Sequence, residues 1–205
     1  MANARITEVL ADLTTVVKVR YSAGGSAEAF SSNSTAERVP VEVRGEDLAS
    51  VLVRFDTGAK GCFSVGQVLP GHKNGLRIEL NGRKGSLGWD QERQNELWIG
   101  RHDGPNAVMC KDPSMMLGGA AQYAHLPAGH QEGWADAFRN VIHDAYEWIR
   151  TGERPVAVCT FAEAVRPCLL VEAMLKSHEA GCVWQRVSEP VEDDVTIERR
   201  EVVCE

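Results

Sequence analysis

The first two thirds of the chain alternate apolar and polar residues, as strands with one buried face do. Val9, Ala11 and Leu13 alternate with polar neighbours such as Glu8 and Asp12, and the alternation continues to residue 19. Successive side chains of a strand point to opposite faces, so a period of two favours strands over helices. The pattern returns after residue 50, and it predicts a sheet whose strands each bury one face.

Two turn signals connect the later strands into an antiparallel meander. Asp56-Thr57-Gly58 suits a tight hairpin. Asn81-Gly82 marks a second reversal before the strands around Trp89 and Ile99. We expect one sheet of about six strands. Its apolar face is expected to consist of Val53, Phe55, Phe63, Val65, Leu76 and Ile78.

The last third of the chain changes to helical spacing. Apolar residues recur three and four positions apart from Trp134 to Ile149, and they predict an amphipathic helix over 131–150. Gly152 lies just past its end, where a left-handed cap residue is common.

A second helix is expected over 161–180. Thr160 and Glu163 fit a capping box at its start, and Pro167 should bend it because proline lacks a backbone donor. A short strand over 183–187 follows.

These elements predict an α+β fold, an open and mainly antiparallel β-sheet with helices on one face. We expect one domain over 1–187, a long loop over 105–126 and an acidic, flexible tail over 188–205. The second face of the sheet carries small or polar side chains, and it is either solvated or meets another protein surface. The latter interpretation predicts a homodimer or tetramer with an interface at Arg54, Ser64, Arg77 and Glu79.

Charge and cysteine usage restrict the partners and the compartment. The 205 residues carry a formal net charge of −7, and an acidic surface repels phosphate backbones, so nucleic acid is not an expected partner. No apolar run approaches the ~20 residues that cross a bilayer, so no membrane partner is expected. The six cysteines form no C-x-x-C pair. We expect reduced, mostly buried thiols, a cytoplasmic protein and no metal site.

Motifs for nucleotide binding and nucleophilic catalysis are absent from the sequence. Gly82, Gly85 and Gly88 lie on a predicted hairpin rather than between a strand and a helix, so turn formation explains them better than phosphate binding. Ser64 falls within a strand, which argues against a nucleophile elbow. No catalytic or cofactor-binding residue is predicted.

His130, at the N-terminal end of the predicted long helix, is the strongest candidate for a ligand contact. Its ring can meet a ligand hydroxyl with help from the N–H groups of the first helical turn, or it only caps the helix and packs on Trp134. Lys73 and Asn74 gather donors and acceptors near a strand edge, although turn formation also explains Asn74. The predicted substrate-binding residues are His130, Lys73, Asn74 and Trp134.

Six short motifs follow one another along the chain: RITEV (5–9), VRFDTGAKG (53–61), GHKN (71–74), GRKGSLGWDQE (82–92), PAGHQEGW (127–134) and VEAMLKS (171–177). Together, over roughly residues 5–187, they resemble the C-terminal domain of the Gfo/Idh/MocA oxidoreductases. Glu163-Ala164 departs from the Asp-Gly that this family usually shows.

The resemblance implies a parent enzyme whose Rossmann domain binds NAD or NADP and precedes a sheet that shapes the substrate pocket. The family's catalytic Lys and Asp-x-x-x-His dyad would lie before Arg5. The resemblance thus implies the substrate-binding and oligomerisation domain of an NAD(P)-dependent sugar or polyol (cyclitol) dehydrogenase. Such a domain binds no cofactor alone and is inactive without its Rossmann domain. Two alternatives are a non-catalytic oligomerisation module and a subunit complemented by a separate Rossmann chain.

Overall fold

The computed structural model describes residues 4–23 and 38–190, and the chain divides into two compact units. Unit 1 draws on Met1–Pro70 and Thr160–Glu205, and unit 2 is Gly71–Cys159. Both are built on antiparallel sheets and both contain a long helix, which confirms the predicted α+β class. The predicted tail lies outside the described residues from residue 191 onward.

Unit 1 is organised around a four-stranded antiparallel sheet. Its elements are β1 (Ile6–Thr14), β2 (Val19–Ala23), β3 (Arg38–Glu42), β4 (Leu48–Phe55), β5 (Lys60–Gly66), α3 (Phe161–Glu179) and β10 (Gln185–Arg186). The strand order is β10-β1-β4-β5, and β2 pairs with β3 in a separate two-stranded sheet. The predicted hairpin joins β4 to β5, where Gly58 takes the left-handed φ of 82° that favours glycine.

The core of unit 1 lies between one face of this sheet and α3. Val9, Ala11, Val51 and Val53 are at most 4% exposed, and Ala173 of α3 is buried with them. The register sets Val9 opposite Val53 and Ala11 opposite Val51, so alternate residues of the two strands share one face. Burial of an aliphatic side chain of this size contributes about 1.5–3 kcal/mol. The alternation in the sequence therefore determines which face receives the helix.

Ser177 joins α3 to the edge of β1. Its completely buried hydroxyl accepts a hydrogen bond from the Ala11 N–H at 2.9 Å and donates to the Val183 carbonyl at 2.7 Å. The Nδ1 atom of His178 accepts the N–H of Leu13 at 3.2 Å. Beyond the two-residue pairing with β10, side chains of α3 thus complete the hydrogen bonding of this strand edge.

Helix α3 begins as the sequence predicts. The Thr160 hydroxyl accepts the N–H of Glu163 at 3.2 Å, and the Glu163 carboxylate accepts the N–H of Thr160 at 2.8 Å. This reciprocal pair is the predicted capping box. Pro167 lies inside the helix, and the chain leaves it through Gly181 at a φ of 88°.

Unit 2 is an antiparallel meander followed by helices. Its elements are β6 (Arg77–Gly82), β7 (Gly85–Asp90), β8 (Glu96–Arg101), β9 (Ala107–Cys110), α1 (Gly118–Ala121) and α2 (Trp134–Thr151). The four strands are neighbours in the order in which they occur in the sequence. Gly152 ends α2 at a φ of 74°, as its position in the sequence predicts.

The structure corrects the expectation of one sheet of about six strands. Among the described residues, β4 and β5 pair with β1, whereas β6 to β9 form a sheet of their own. Pro70, Gly71 and Gly75 interrupt the strands between β5 and β6, and the sequence pattern does not reveal which strands pair across such a break. Strand β9 lies in the segment predicted as a loop over 105–126, and the antiparallel pair of β2 and β3 was not expected.

The expected apolar face is buried only in part. Val53 belongs to the core, and Phe55 and Phe63 pack beside it. Val65, in contrast, is 60% exposed, because α3 packs on β1 and leaves the β5 edge open. Leu76 and Ile78 are also exposed, and they belong to unit 2 rather than to this face.

The cysteines are more exposed than expected. Cys62 lies opposite Leu52 on the open face of the unit 1 sheet, and Cys110 and Cys168 are exposed as well. Cys182 is partly buried. The usual preference of cysteine for the interior therefore fails where a strand or helix has an open side.

Candidate functional site

Unit 2 contains an open cavity of about 710 Å³. It is lined by the connection between β7 and β8, the end of β9, the segment around α1 and the first turns of α2. Its apolar wall includes Trp89, Leu97, Met109, Met116 and Trp134. Small-molecule sites typically have volumes of about 300–1,000 Å³ and mostly apolar walls, so this cavity is the candidate site.

A buried ion pair supports one side of the cavity. The Lys111 ammonium donates hydrogen bonds to the Glu132 carboxylate and, at 3.1 Å, to the Leu126 carbonyl. The other carboxylate oxygen of Glu132 accepts the N–H of His125 at 2.7 Å. Less than a tenth of either charged side chain is exposed. The pair thus connects the end of β9 to the loop that leads into α2.

The surroundings of Glu132 keep it ionised. Burial disfavours the charged carboxylate, but hydrogen bonds from Lys111 and from the N–H groups of His125 and Leu126 outweigh it. The pKa of Glu132 therefore lies below its ordinary value.

Hydrogen bonds between side chains and backbone groups fix the residues that lead into α2. The side chains of Gln94 and Asn95 donate to the Glu132 carbonyl at 3.1 Å and 2.9 Å. The N–H of Gly133 donates to the carboxylate of Asp136 at 2.9 Å. A Cβ at position 133 would lie 2.8 Å from Nε2 of the Gln94 side chain, so a larger residue there would displace that side chain from its bond to the Glu132 carbonyl.

A second set of hydrogen-bonded polar residues lies further toward the C-terminus of α2. The Tyr123 hydroxyl donates to the Asp144 carboxylate at 2.7 Å, and Asn140 donates to the Tyr123 carbonyl at 3.0 Å. The hydrogen bond to Asp144, together with burial, raises the pKa of Tyr123. The Asn140 oxygen also lies 2.6 Å from Nε2 of His125. These bonds hold the segment after α1 against the helix.

The structure brings one of the four predicted substrate-binding residues to the cavity. Trp134 is the first residue of α2, lines the cavity and packs against Phe138, with ring centroids 4.4 Å apart and the rings tilted by 43°. His130 lies four residues before α2, is exposed, and has its Nδ1 atom 3.3 Å from the Ala128 carbonyl of its own loop. His130 does not line the cavity.

Lys73 and Asn74 are exposed in the loop before β6 and do not line the cavity either. The role of both residues and of His130 in ligand binding stays a prediction. Of the residues around the cavity, sequence reasoning missed the Lys111–Glu132 pair, because the two lie 21 positions apart in a segment without a periodic pattern.

The four predicted interface residues fall in two units. Arg54 donates to the Glu8 carboxylate at 2.8 Å and lies 3.9 Å from the ring centre of Trp184, while Ser64 is exposed on β5. In unit 2, Arg77 donates to the Asp90 carboxylate at 2.9 Å, and Glu79 accepts from Asn81.

The described residues do not fit a nicotinamide dinucleotide by themselves. A dinucleotide site places a glycine-rich turn between a parallel strand and a helix whose N-terminus meets the pyrophosphate. The strand pairs described in this chain are all antiparallel, and Gly82 and Gly85 close the β6–β7 hairpin.

A cluster outside the cavity also escaped sequence reasoning. In unit 1, ligand atoms of Asp12, His178 and Cys182 lie within 4.8 Å of one another. Asp12 is on β1 and the other two residues are at the end of α3, so their distance in sequence concealed the cluster.

The family model for the C-terminal alpha/beta domain of an oxidoreductase family, Gfo/Idh/MocA, matches residues 13–185. The chain belongs to this family. The match confirms the resemblance inferred from the six motifs. The Gfo/Idh/MocA C-terminal domain therefore covers both compact units rather than one of them.

Relatives of known sequence or structure agree with this assignment. The "Uncharacterized oxidoreductase YfiI" of Bacillus subtilis (strain 168) is 28% identical over 96 residues, which are 47% of this chain and 24% of that protein. An oxidoreductase domain protein from Kribbella flavida is 28% identical, with a TM-score of 0.71 over 91% of this chain and 47% of that one. An inositol dehydrogenase homologue from Azotobacter vinelandii, complexed with NADH and myo-inositol, shares the fold with a TM-score of 0.71 at 22% identity, over 91% of this chain and 45% of that one.

The chain thus spans a quarter of the curated relative and about half of the solved chains. Among the described residues, no helix combines the length and the apolar character that crossing a membrane requires.

Proposed function

We propose that the chain supplies the substrate-binding and assembly half of an NAD(P)-dependent dehydrogenase that acts on a sugar or polyol. It works together with a cofactor-binding domain, in cis or in trans. The cavity in unit 2 carries this proposal, because among the described residues it is a ligand-sized space in a domain of an oxidoreductase family. The bound NADH and myo-inositol of the Azotobacter homologue support the choice of cofactor and substrate class.

The wall of the cavity suits a polyhydroxylated ring. Trp89 and Trp134 offer aromatic surfaces for the C–H face of such a ring, while Gln91 and Asp136 add polar atoms. Many other polar atoms of the wall hold the loop around Glu132. We therefore expect weak binding by the chain alone.

The exposed apolar side of helix α2 supports the proposal that a further domain packs against this chain. Its apolar side chains are between 52% and 79% exposed: Trp134, Phe138, Val141, Ile142, Tyr146 and Ile149. An amphipathic helix gains most of its stability by packing this side against a partner. His130, Lys73 and Asn74, which are exposed outside the cavity, are proposed to contact substrate at a surface that the cofactor-binding domain completes.

Saturation-transfer NMR with myo-inositol and D-glucose tests the substrate site. Trp134→Ala should abolish the saturation transfer. The matched control Trp184→Ala, which changes a tryptophan of unit 1 that does not line the cavity, should retain it. Absence of binding of both compounds, or equal loss in the two variants, would contradict a polyol site in this cavity.

Titration of NADH, followed by its fluorescence, tests whether the cofactor is bound by a separate domain rather than by this chain. The chain alone should give no saturable change, because the described residues do not form a dinucleotide site. Tight saturable binding would overturn the proposal. A folded dimer that binds no polyol would favour the alternative of a non-catalytic assembly module.

A further inference from the structure

We propose that Asp12, His178 and Cys182 form a site for a thiophilic divalent cation of the Zn²⁺ class in unit 1. The cluster lies outside the cavity of unit 2, and the proposal does not depend on the function proposed above. A thiolate, an imidazole and a carboxylate are the three donor types that protein zinc sites use, whereas Mg²⁺ and Ca²⁺ prefer oxygen donors.

The distances within the cluster suit one ion. The Nδ1 atom of His178 lies 3.7 Å from Oδ1 of Asp12 and 3.9 Å from Sγ of Cys182. Ligands of a tetrahedral ion with bonds of about 2.0–2.3 Å lie about 3.3–3.8 Å apart. Small side-chain adjustments are therefore enough to bring the three atoms to one ion, with a fourth position open to water.

The backbone holds the ligands in place without the ion. After α3 the chain reverses through Gly181 and then through Cys182, whose φ of 60° is the one positive value recorded for a non-glycine residue in the described part of the chain. Hydrogen bonds from the Val183 N–H to the Ser177 carbonyl, at 3.2 Å, and from the Ser177 hydroxyl to the Val183 carbonyl close this turn. The turn places Cys182 beside His178, and Ser177 attaches both to β1.

Binding of the ion displaces the thiol proton of Cys182 and breaks a hydrogen bond of His178. A cysteine binds a metal ion as its thiolate, so the Cys182 thiol must give up its proton. Binding of M²⁺ forms the sulfur–metal bond and releases that proton to the solvent. The Nδ1 atom of His178 also accepts the Leu13 N–H at 3.2 Å, and this long hydrogen bond must open for the metal–nitrogen bond to form.

Titration of the full chain with Co²⁺ and Zn²⁺ tests the site. Co²⁺ should bind one ion per chain and give the absorption band of a thiolate–cobalt bond, and Zn²⁺ should remove that band. Calorimetry in two buffers of different ionisation enthalpy should show proton release. In NMR spectra, Zn²⁺ should shift the amide signal of Leu13.

Variants separate this site from unspecific binding. Cys182→Ser should abolish the cobalt band, and His178→Gln, which keeps an acceptor for the Leu13 N–H, should weaken binding at least tenfold. Cys62→Ser, at an exposed cysteine of the same sheet, is the matched control and should bind as the wild type does. Unfolding curves establish that each variant is folded. A band that survives Cys182→Ser, substoichiometric binding, or an unmoved Leu13 amide would indicate an adventitious ion only and overturn the proposal.

Discussion

The ammonium of Lys111 donates to the carboxylate of Glu132, and both side chains are buried in unit 2. Removing one partner of such a pair leaves the other charge buried without compensation. We expect Glu132→Gln to lower the free energy of unfolding by about 3 kcal/mol. Urea denaturation followed by tryptophan fluorescence measures this loss.

Two further variants make the measurement specific. Lys111→Met combined with Glu132→Gln should recover part of the lost stability, because the unpaired charge is then gone. Glu92→Gln, at an exposed carboxylate, should change stability by less than about 0.5 kcal/mol. Equal effects of Glu92→Gln and Glu132→Gln would show that the buried pair does not stabilise unit 2.

The pKa of Glu132 predicts how stability depends on pH. Because this pKa is lower in the folded protein than in the unfolded chain, the ionised carboxylate stabilises the fold above the unfolded pKa of about 4.3. The contribution is lost as the pH falls below that value and through the folded pKa. Unfolding free energies measured from neutral to acidic pH should therefore decline in this window.

The same pH series on Glu132→Gln identifies the group responsible. Its profile should be flatter than that of the wild type. It should not be flat, because Asp47 also has a lowered pKa, owing to hydrogen bonds from the N–H groups of Val16 and Val17. Identical slopes for wild type and variant would exclude Glu132 as a source of acid lability.

The outward side of α2 should tolerate polar substitution when the chain is studied alone. Ile142→Ser should change the free energy of unfolding by less than about 0.5 kcal/mol, because this side chain is 54% exposed. It should also reduce the binding of a hydrophobic dye. Val51→Ala, in the core of unit 1, should cost about 2 kcal/mol. A large loss with Ile142→Ser would mean that this side of α2 is already packed in the free chain.

The elements that the sequence predicted best are those determined by local interactions. The capping box at Thr160, the cap at Gly152 and the hairpin after Phe55 all lie within a few residues of their causes, and the structure contains each of them. The core of unit 1 could also be predicted, because alternation alone places Val51 and Val53 on one face.

What the sequence could not predict depends on contacts between distant residues. The division into two four-stranded sheets depends on the pairing of β1 with β4, which no local pattern encodes. Of the four predicted substrate-binding residues, only Trp134 lines the cavity. It is the first residue of α2, and the first turns of this helix form part of the cavity wall. Lys111 and Glu132 meet because α2 returns to the end of β9, and that return has no signature in the sequence.

Assembly is expected to use the open face of the unit 2 sheet. Glu79, Gly88, Trp98 and Val108 lie directly opposite one another across the four strands and therefore share one face. Trp98 and Val108 are 38% and 54% exposed on it. A Cβ at Gly100 would lie 2.5 Å from the Trp98 ring, so glycine lets the indole lie close against the strand. This face combines the exposed Trp98 indole with polar and charged side chains, and aromatic residues are enriched in interfaces.

We therefore expect the chain to form dimers through this face, with a tetramer as the larger alternative. Arg77→Glu should weaken association at least about tenfold by adding like charge beside Glu79, and Trp98→Ala should do so by removing the aromatic anchor. Arg83→Glu, in the exposed β6–β7 turn, makes the same charge change outside the face and should associate as the wild type does. Sedimentation velocity over a range of concentrations measures these constants, and urea unfolding verifies that the loss of the Arg77–Asp90 bond leaves the variant folded. A wild-type chain that stays monomeric at high micromolar concentration would show that the face is solvated. If Arg83→Glu weakened association as much as Arg77→Glu does, net charge rather than this face would govern association.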